Sequence, residues 1–309
     1  MTRIRLAARA MCLAWSKSHA DPTADYDAVS GDYDTYFSPV MGRHSLEALA
    51  EVPVRPGDTA VELACGTGHL TAEIVRRMEG RGTVLAVDKS PGMLAVARAK
   101  IQPLVSATDG LRVELSEGDM EIFLRGMPPS SVDLVVVGWA ICYSKPPRLL
   151  ADVERVLRPG GWVVVIETRA DAHQTLTEHL QQVFGDDPSL LANLMRVSLP
   201  KNAAALARWF AQAGLAVAVQ RDGTQTIPAH NPEEVMEWVQ RSGAAAGFKN
   251  TVAPGREQQV LDQIRAGLAG TLARERTLNL HHTFVVVTGS KPASQRTAAV
   301  GMRTEETSA

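Results

Sequence analysis

Short apolar runs alternate with longer amphipathic stretches through most of this 309-residue sequence. The runs indicate strands, and their near-continuous apolar character is typical of strands that are buried on both faces of a parallel sheet. The stretches between them show the three- and four-residue spacing of helices with one buried face. This alternation predicts βαβ units and therefore an α/β fold. The predicted strands are residues 59–64, 83–88, 111–116, 132–138, 162–168, 215–220 and 283–289.

Two helical stretches, near 172–200 and near 231–276, interrupt this alternation. We expect no strand in the first of them, and we interpret both as insertions that form a lid over the site. The resulting domain should cover residues 26–290. We predict a flexible or loosely docked N-terminus over residues 1–25 and a disordered tail of small, polar residues over 291–309.

The charge balance and hydropathy of the chain limit its partners. Lys and Arg number 32 and Asp and Glu number 34, so the net charge of -2 gives no electrostatic reason to expect a nucleic-acid partner. No apolar run approaches the roughly 20 residues that a bilayer crossing needs, so we expect no membrane partner. Three Arg, one Lys and no acid occur in the first twenty residues, but Arg5 and Arg9 interrupt the apolar run too early for a secretion signal.

The cysteines give no sign of a metal centre or a disulfide framework. Cys12, Cys65 and Cys142 are far apart in the sequence and form no CxxC pair. A reducing compartment is consistent with this pattern. We therefore expect a cytoplasmic protein, monomeric or homodimeric, that acts on a small molecule.

The segment "TAVELACGTGHLTAEIV", residues 59–75, carries the strongest functional signal. A strand that contains Glu62 leads into Gly66 and Gly68 and then into a helix. Glycine permits positive φ and has no Cβ, so a ligand can lie against the main chain beside the first N–H groups of the helix. Asp88 ends the next strand, where an acid can accept hydrogen bonds from two ribose hydroxyls. A ligand with a nucleoside part is therefore expected.

Two residues favour S-adenosylmethionine over a dinucleotide as that ligand. The dinucleotide fingerprint is GxGxxG, and Thr71 stands where the third glycine would be. Glu62 precedes the first glycine by four residues, where a carboxylate would repel a pyrophosphate but suits a cationic amino-acid group. The electrostatics of the loop therefore predict S-adenosylmethionine as the cofactor.

Four motifs, in this order and at this spacing, resemble the class I S-adenosylmethionine-dependent methyltransferases of small-molecule type, in particular the group related to the ubiquinone/menaquinone C-methyltransferases. The motifs are "VELACGTGHL", "VLAVDKSPGMLAVARAK", "EGDME" and "VDLVVVGWAICYSKPPRLLADVERVLRPGGWVVVIE". The resemblance is strong over residues 55–170 and weaker on either side. It implies a Rossmann-like methyltransferase fold, which is a doubly wound, seven-stranded, mostly parallel sheet, here with helical lid insertions.

The resemblance also implies a set of cofactor-binding residues. By that resemblance Glu62, Gly66 and Gly68 would hold the methionine part of the cofactor, and Asp88 would hold the ribose. Met93 would pack on the adenine, Asp119 and Met120 would lie at the adenine amino group, and Tyr33 in the entry helix would lie across the cofactor. Simpler roles stay open for some of these residues: helix capping for Asp88, core packing for Met93 and Tyr33, and a turn for Asp119.

Methyl transfer to a hydroxyl or a carbon acid requires a group that removes a proton. The candidates are His44, Tyr143, His173 and His179, and the sequence does not choose among them. His44 could instead cap or orient its helix, and His173 and His179 could be surface residues. We expect no metal, because Gly138 and Trp139 end the fourth strand without offering a ligand.

The first insertion is rich in apolar residues and follows the fifth strand directly, so we predict that it lies over the transferred methyl group. With Tyr36, Phe37 and Met41 it would wall a mostly apolar pocket for a small organic acceptor, methylated on oxygen or carbon in specialised metabolism. The alternative is that these side chains form a core of the lid itself. A second function also stays open: an S-adenosylmethionine-binding cyclase or rearrangement enzyme on the same fold, which transfers no methyl group.

Overall fold

The computed structural model of the protein describes residues 2–16, 19–105 and 110–293, so most of the predicted tail lies outside the described residues. The helices are α1 (Thr2–Ser16), α2 (Thr23–Val29), α3 (Tyr33–Tyr36), α4 (Arg43–Leu49), α5 (His69–Arg77), α6 (Pro91–Val105), α7 (Met120–Gly126), α8 (Pro146–Val156), α9 (Gln174–Asp186), α10 (Ala203–Gln212), α11 (Pro232–Arg241), α12 (Phe248–Thr251) and α13 (Glu257–Glu275). The strands are β1 (His19–Ala20), β2 (Thr59–Leu63), β3 (Arg81–Asp88), β4 (Gly110–Glu117), β5 (Val132–Gly138), β6 (Leu157–Thr168), β7 (Leu194–Met195), β8 (Ala216–Ile227) and β9 (Leu280–Ser290).

Within the described residues, seven strands form the main sheet in the order β4-β3-β2-β5-β6-β9-β8. Neighbouring strands are parallel except at β9, which runs antiparallel to both β6 and β8. The chain moves outward from β2 through β3 to β4, and then places β5 on the other side of β2. The strand order therefore reverses between β2 and β5, where open α/β sheets bind their ligands. The predicted doubly wound, seven-stranded, mostly parallel sheet is confirmed.

Helices cover both faces of the sheet and form two apolar cores with it. One core packs α8 and α10 against the sheet and contains Leu150 and Phe210, both without exposed surface. The other packs α4 and α5 against the opposite face and contains Leu49 and Ile74, which are equally buried. Because the central strands touch both cores, almost every one of their residues is apolar.

The strand β8 is longer than the sequence predicts. The apolar run predicted a strand over 215–220, whereas the observed strand continues to Ile227. The added part, with Arg221, Asp222 and Gln225, is polar and lacks the apolar pattern of the buried strands. It is a strand because β8 lies at the edge of the sheet and pairs with β9 as far as Leu280.

The two insertions pack on each other and form a third apolar core beside the sheet. This core includes Val183 and Phe184 of α9, Val239 of α11 and Leu268 of α13. The expectation of no strand in residues 172–200 was wrong, because β7 lies there and pairs in parallel with β1. Two residues are too few to produce a period in the sequence, and their partner strand is far away in the chain.

Residues 2–16 form helix α1, which packs on the third core. Leu13 is 6% exposed and belongs to that core, and the Arg9 side chain donates a hydrogen bond from Nε to the carbonyl oxygen of Leu191 at 2.9 Å. A flexible or loosely docked N-terminus stays a prediction. None of the helices in the described ranges is long and apolar enough to cross a membrane.

Candidate active site

The glycine loop between β2 and α5 has the geometry that its sequence predicts. Gly66 and Gly68 take left-handed backbone conformations, with φ of 54° and 76°. A Cβ atom at Gly68 would lie 3.1 Å from the Cβ of Ala97, so glycine also lets α5 approach α6 closely. A Cβ atom at Gly66 would meet nothing within 4 Å, because the main chain there borders an open cavity.

The cavity beside this loop has a volume of about 370 Å³. Its lining comes from the carboxyl ends of the strands: Gly66 follows β2, Asp88 ends β3, Asp119 follows β4 and Trp139 follows β5. The cavity therefore lies at the switch point of the sheet, where a ligand is expected in this kind of fold. Its size matches that of pockets that hold one small ligand or cofactor.

Asp88 holds the glycine loop and still has some hydrogen-bond acceptor capacity for a ligand. The backbone N–H of Gly66 donates to Oδ2 at 2.8 Å, and the N–H of Ser90 donates to Oδ1 at 2.9 Å. The backbone N–H of Lys89 also bonds to this carboxylate, so three of its roughly four lone-pair sites are used and about one stays free for a ligand. Burial raises the pKa of Asp88, and the N–H groups of Ser90, Gly66 and Lys89 oppose that rise. Local capping and ribose binding are thus compatible roles for this residue.

The three residues expected around the adenine all line the cavity: Met93, Asp119 and Met120. Met93 is only 2% exposed and also lines the cavity, so the same side chain can pack in the core and contact a ligand. Asp119 is the N-cap of α7, where Oδ1 accepts from Glu121 N and its other oxygen pairs with the Lys89 ammonium at 2.9 Å. Burial alone would raise the pKa of Asp119, but the Lys89 ammonium and the backbone N–H donors outweigh it and lower that pKa.

Glu62 is buried under the loop, 3% exposed, and is not among the residues that line the cavity. The hydroxyl of Thr71 donates a hydrogen bond to its carboxyl group. Burial raises the pKa of Glu62 to about 8, and the Thr71 hydrogen bond opposes that rise only in part. Without a ligand the group is therefore mostly neutral at pH 7, which revises the sequence-based argument that a charged carboxylate stands beside the loop.

Aromatic side chains form the end of the cavity next to β5. Tyr26, Tyr33, Trp139 and Tyr143 all line it. Tyr33 stacks on Phe37 with ring centroids 4.8 Å apart, so it both packs in the core and faces the cavity. The hydroxyls of Tyr26 and Tyr143 lie 2.9 Å apart and share one hydrogen bond. This pair offers an acceptor molecule one free O–H donor and additional oxygen lone pairs.

The Tyr26–Tyr143 pair is electrically neutral over the working range of an enzyme. Burial raises the pKa of Tyr26 well above that of a free phenol, and the neighbouring Tyr143 raises it further. The pKa of Tyr143 is raised mainly by burial as well. Tyr143 is therefore suited to donate or accept a hydrogen bond and is poorly suited to serve as a phenolate base.

Glu167 is a buried carboxyl group that the sequence analysis did not single out. It is 1% exposed, and its Oε2 accepts a hydrogen bond from the backbone N–H of Cys142 at 3.0 Å. Burial raises the pKa of Glu167 to about 7, and backbone hydrogen bonds such as that from Cys142 limit the rise. The carboxyl group anchors the turn Ile141–Tyr143, which presents Tyr143 to the cavity. The sequence did offer one indication of a role for Glu167, because this residue lies at the carboxyl end of a predicted parallel strand, where site residues gather in this kind of fold.

The structure places the histidine candidates away from this cavity, whose lining among the described residues includes none of them. The His44 ring contacts Glu47 at 3.1 Å and Gln225 at 3.2 Å. Burial lowers the pKa of His173 to about 4, and both of its ring nitrogens are buried without a hydrogen-bond partner in the described ranges. The His179 ring bonds to Thr271 at 3.0 Å.

Most apolar residues of the first insertion lie away from the lining of this cavity. Val183, Phe184 and Leu190 are buried in the third core, and of the segment 172–200 only Met195 and Arg196 line the cavity. Among the entry-helix residues, Phe37 and Met41 are buried in the core of the sheet, and the Tyr36 hydroxyl donates to Glu237. Val183, Phe184 and Leu190 therefore fit the alternative of a lid core, whereas Met195 lines the cavity as the acceptor wall would require. An acceptor wall in this segment stays a prediction.

Residues 60–161 match a family of methyltransferase domains. A demethylmenaquinone methyltransferase from Symbiobacterium thermophilum is 31% identical over 153 residues, which are 46% of this chain and 57% of that protein. A ubiquinone/menaquinone biosynthesis C-methyltransferase from Hydrogenovibrio crunogenus is 28% identical over 151 residues, which are 46% of this chain and 56% of that protein. The chain thus spans a little over half the length of these curated relatives.

Solved structures match the fold over most of the chain. A protein from Bacillus halodurans aligns with a TM-score of 0.54 at 15% identity and covers 82% of this chain and 100% of its own. The YcgJ protein from Bacillus subtilis aligns with a TM-score of 0.52 at 18% identity and covers 81% and 99%. These matches concern the fold. Together with the methyltransferase domain match over residues 60–161 and the glycine loop, they support the sequence resemblance to the class I S-adenosylmethionine-dependent methyltransferases.

Proposed function

We propose that the protein transfers a methyl group from S-adenosylmethionine to oxygen or carbon of a small, largely apolar organic acceptor. The observation that supports this most is the composition of the switch-point cavity. Its loop end presents the bare main chain of Gly66 and the remaining acceptor capacity of Asp88, and its other end is aromatic. Such an arrangement suits a nucleoside at one end and a flat acceptor at the other.

The residues present fit the proposed cofactor. Asp88 would accept hydrogen bonds from the ribose hydroxyls, and Met93 and Asp119 would contact the adenine. Gly66 would let the amino-acid part lie on the main chain above Glu62, and the ammonium group of the cofactor would favour the ionised form of that carboxyl group. The cofactor supplies a sulfonium methyl group, which is the electrophile of the reaction.

The protein itself would align the acceptor and exclude water. The Tyr26–Tyr143 pair would hold an oxygen of the acceptor, because one O–H of the pair remains free to donate. Trp139 would close the cavity beside the acceptor ring. Glu167 would act through the turn Ile141–Tyr143, since its carboxyl group touches that turn and not the cavity.

The names of the curated relatives favour a quinone-like acceptor that is methylated on carbon. We propose this class first among aromatic acceptors, with specialised metabolism as the predicted setting. A cytoplasmic location, the absence of a nucleic-acid partner and a monomeric or homodimeric state stay predictions. Incubation with labelled cofactor and a panel of quinones, phenols and polyketides tests the proposal. Cofactor binding without any labelled product would favour the cyclase alternative.

Asp88→Ala should weaken the binding of S-adenosylmethionine by about tenfold or more, because charge-assisted hydrogen bonds contribute roughly 1.5 to 3 kcal/mol each. Titration calorimetry on the isolated protein measures this without an acceptor. Asp262→Ala is the matched control, since that carboxylate is exposed on α13 and pairs with Arg265. A wild-type protein that does not bind the cofactor would overturn the proposed function.

Activity should be insensitive to chelators. In the described parts of the chain no three His, Cys, Asp or Glu residues come together as a metal site would require. The expected result is the same rate of methyl transfer with and without EDTA. A loss of turnover in EDTA that magnesium restores would contradict this expectation.

A further inference from the structure

Helix α1 presents an apolar face that no described part of the chain covers. Met11 is 73% exposed and Trp15 is 91% exposed. Ala8 and Cys12 are exposed on the same face of the helix. The opposite face carries Leu13, which is buried in the third core, so the helix is docked by one side only. Large apolar side chains left in water on one face of a helix are typical of a surface that binds a partner.

The charge of this segment selects among the candidate partners. Residues 1–20 contain Arg3, Arg5, Arg9 and Lys17, and the first acid in the chain is Asp21. Arg5 is exposed at the border of the apolar face. A second copy of the chain docked on the same face would bring like charges together, whereas anionic lipid headgroups complement them. A helix that combines exposed Trp and Met with basic residues is suited to lie in a membrane surface.

Helix α1 also lies beside the short strands that contribute to the lining of the cofactor cavity. Helix α1 packs on β7, and β7 pairs with β1. Ala20 of β1, Met195 of β7 and the following Arg196 line the cavity. Arg196 is exposed, and Val197 beside it is 39% exposed. A surface that held α1 would therefore lie next to the opening through which a ligand enters.

We propose that this face of α1 docks the protein on an anionic lipid surface, with the cavity mouth at the lipid–water boundary. Met11 and Trp15 insert between the lipids, and Arg5 contacts the headgroups. An apolar acceptor dissolved in the lipid then reaches the cavity without crossing water. That consequence rests on the proposed function, whereas the docking itself does not. The expectation of no membrane partner rested on the lack of a spanning segment, and surface docking needs none.

Cosedimentation with vesicles tests the docking without cofactor or acceptor. Wild-type protein should bind vesicles made of equal parts phosphatidylcholine and phosphatidylglycerol, and bind phosphatidylcholine vesicles less. The double variant Met11→Ser/Trp15→Ser should lower the affinity by about tenfold or more, because insertion of both side chains is lost. Arg5→Glu should weaken binding to the anionic vesicles alone. Ile122→Ser is the matched control, since Ile122 is 65% exposed on α7.

Three outcomes would overturn the proposal. The first is a wild-type protein that stays in the supernatant with anionic vesicles. The second is a double variant that binds as well as wild type. The third is self-association of the wild type that the double variant loses, without vesicle binding, because the partner would then be a second copy. Calorimetry with S-adenosylmethionine verifies that each variant is folded. If the wild type did not bind the cofactor, that result would count against the proposed function and not against the docking.

Discussion

Glu62→Gln is expected to raise the free energy of unfolding at pH 7 by on the order of 3 kcal/mol. The pKa of Glu62 is about 8 in the folded protein because the carboxyl group is buried, against 4.5 for an unperturbed glutamate. The folded state therefore binds a proton more tightly than the unfolded chain. The contribution of the protonated Glu62 carboxyl group to the free energy of unfolding is fully present below pH 4.5 and is lost as the pH rises toward 8. Glutamine keeps the shape of the neutral acid and can still accept the Thr71 hydrogen bond.

Urea unfolding at several pH values, without cofactor, measures this effect. The stability of the wild type should fall between pH 5 and pH 8 more steeply than that of the variant. Glu167 contributes in the same direction over a narrower window, because its pKa is about 7, so some slope should remain in Glu62→Gln. Glu275→Gln, at an exposed position on α13, is the control and should change little. A Glu62→Gln protein that is less stable than wild type at pH 8 would contradict the expectation.

Tyr143→Phe is expected to lower kcat by about a hundredfold while the affinity for S-adenosylmethionine stays within about twofold. The substitution removes one hydroxyl of the Tyr26–Tyr143 pair and leaves the ring in place. The acceptor oxygen would then lose the group that orients it toward the methyl donor. The measurement combines steady-state kinetics, on the best acceptor from the labelled screen, with calorimetry of the cofactor.

Two controls separate this role from a structural one. Tyr36→Phe removes a hydroxyl that bonds to Glu237 outside the cavity, so it should keep normal kinetics. Glu167→Gln should lower kcat less than Tyr143→Phe does, because Glu167 acts through the turn. If Tyr143→Phe weakened cofactor binding as much as it lowered kcat, the hydroxyl would be part of the cofactor site and the proposed role would be wrong.

The central strands of the sheet and the glycine loop were predictable because neighbouring residues determine them. Consecutive valines in β5 can be buried on both faces only in a covered sheet, whatever the rest of the chain does. Gly66 and Gly68 adopt positive φ that other residues rarely take, so their spacing after a strand indicates a loop at once. The position of Asp88 beside this loop was also predictable, because the carboxyl ends of parallel strands share one edge of the sheet.

Tyr143 was among the candidates that the sequence offered, but its pairing with Tyr26 was not predictable in this way. Tyr26 and Tyr143 are 117 residues apart and meet only in the folded chain, which brings α2 and the turn Ile141–Tyr143 together. The histidines attracted attention by residue type, yet their positions depend on packing that no local pattern encodes. His173, for example, is held at the N-cap of α9 with its ring nitrogens buried.

The sequence by itself determined the α/β sheet, its cofactor loop and the residues at its strand ends, since these depend on local conformation and on hydrophobic period. Only the tertiary structure decided which side chains share a cavity, how far burial raises the pKa of Glu62 and Glu167, and that the two insertions form a core together. Those properties arise from contacts between segments far apart in the chain. Burial and hydrogen bonding at such contacts exist only after the segments have packed, so no stretch of sequence carries them alone.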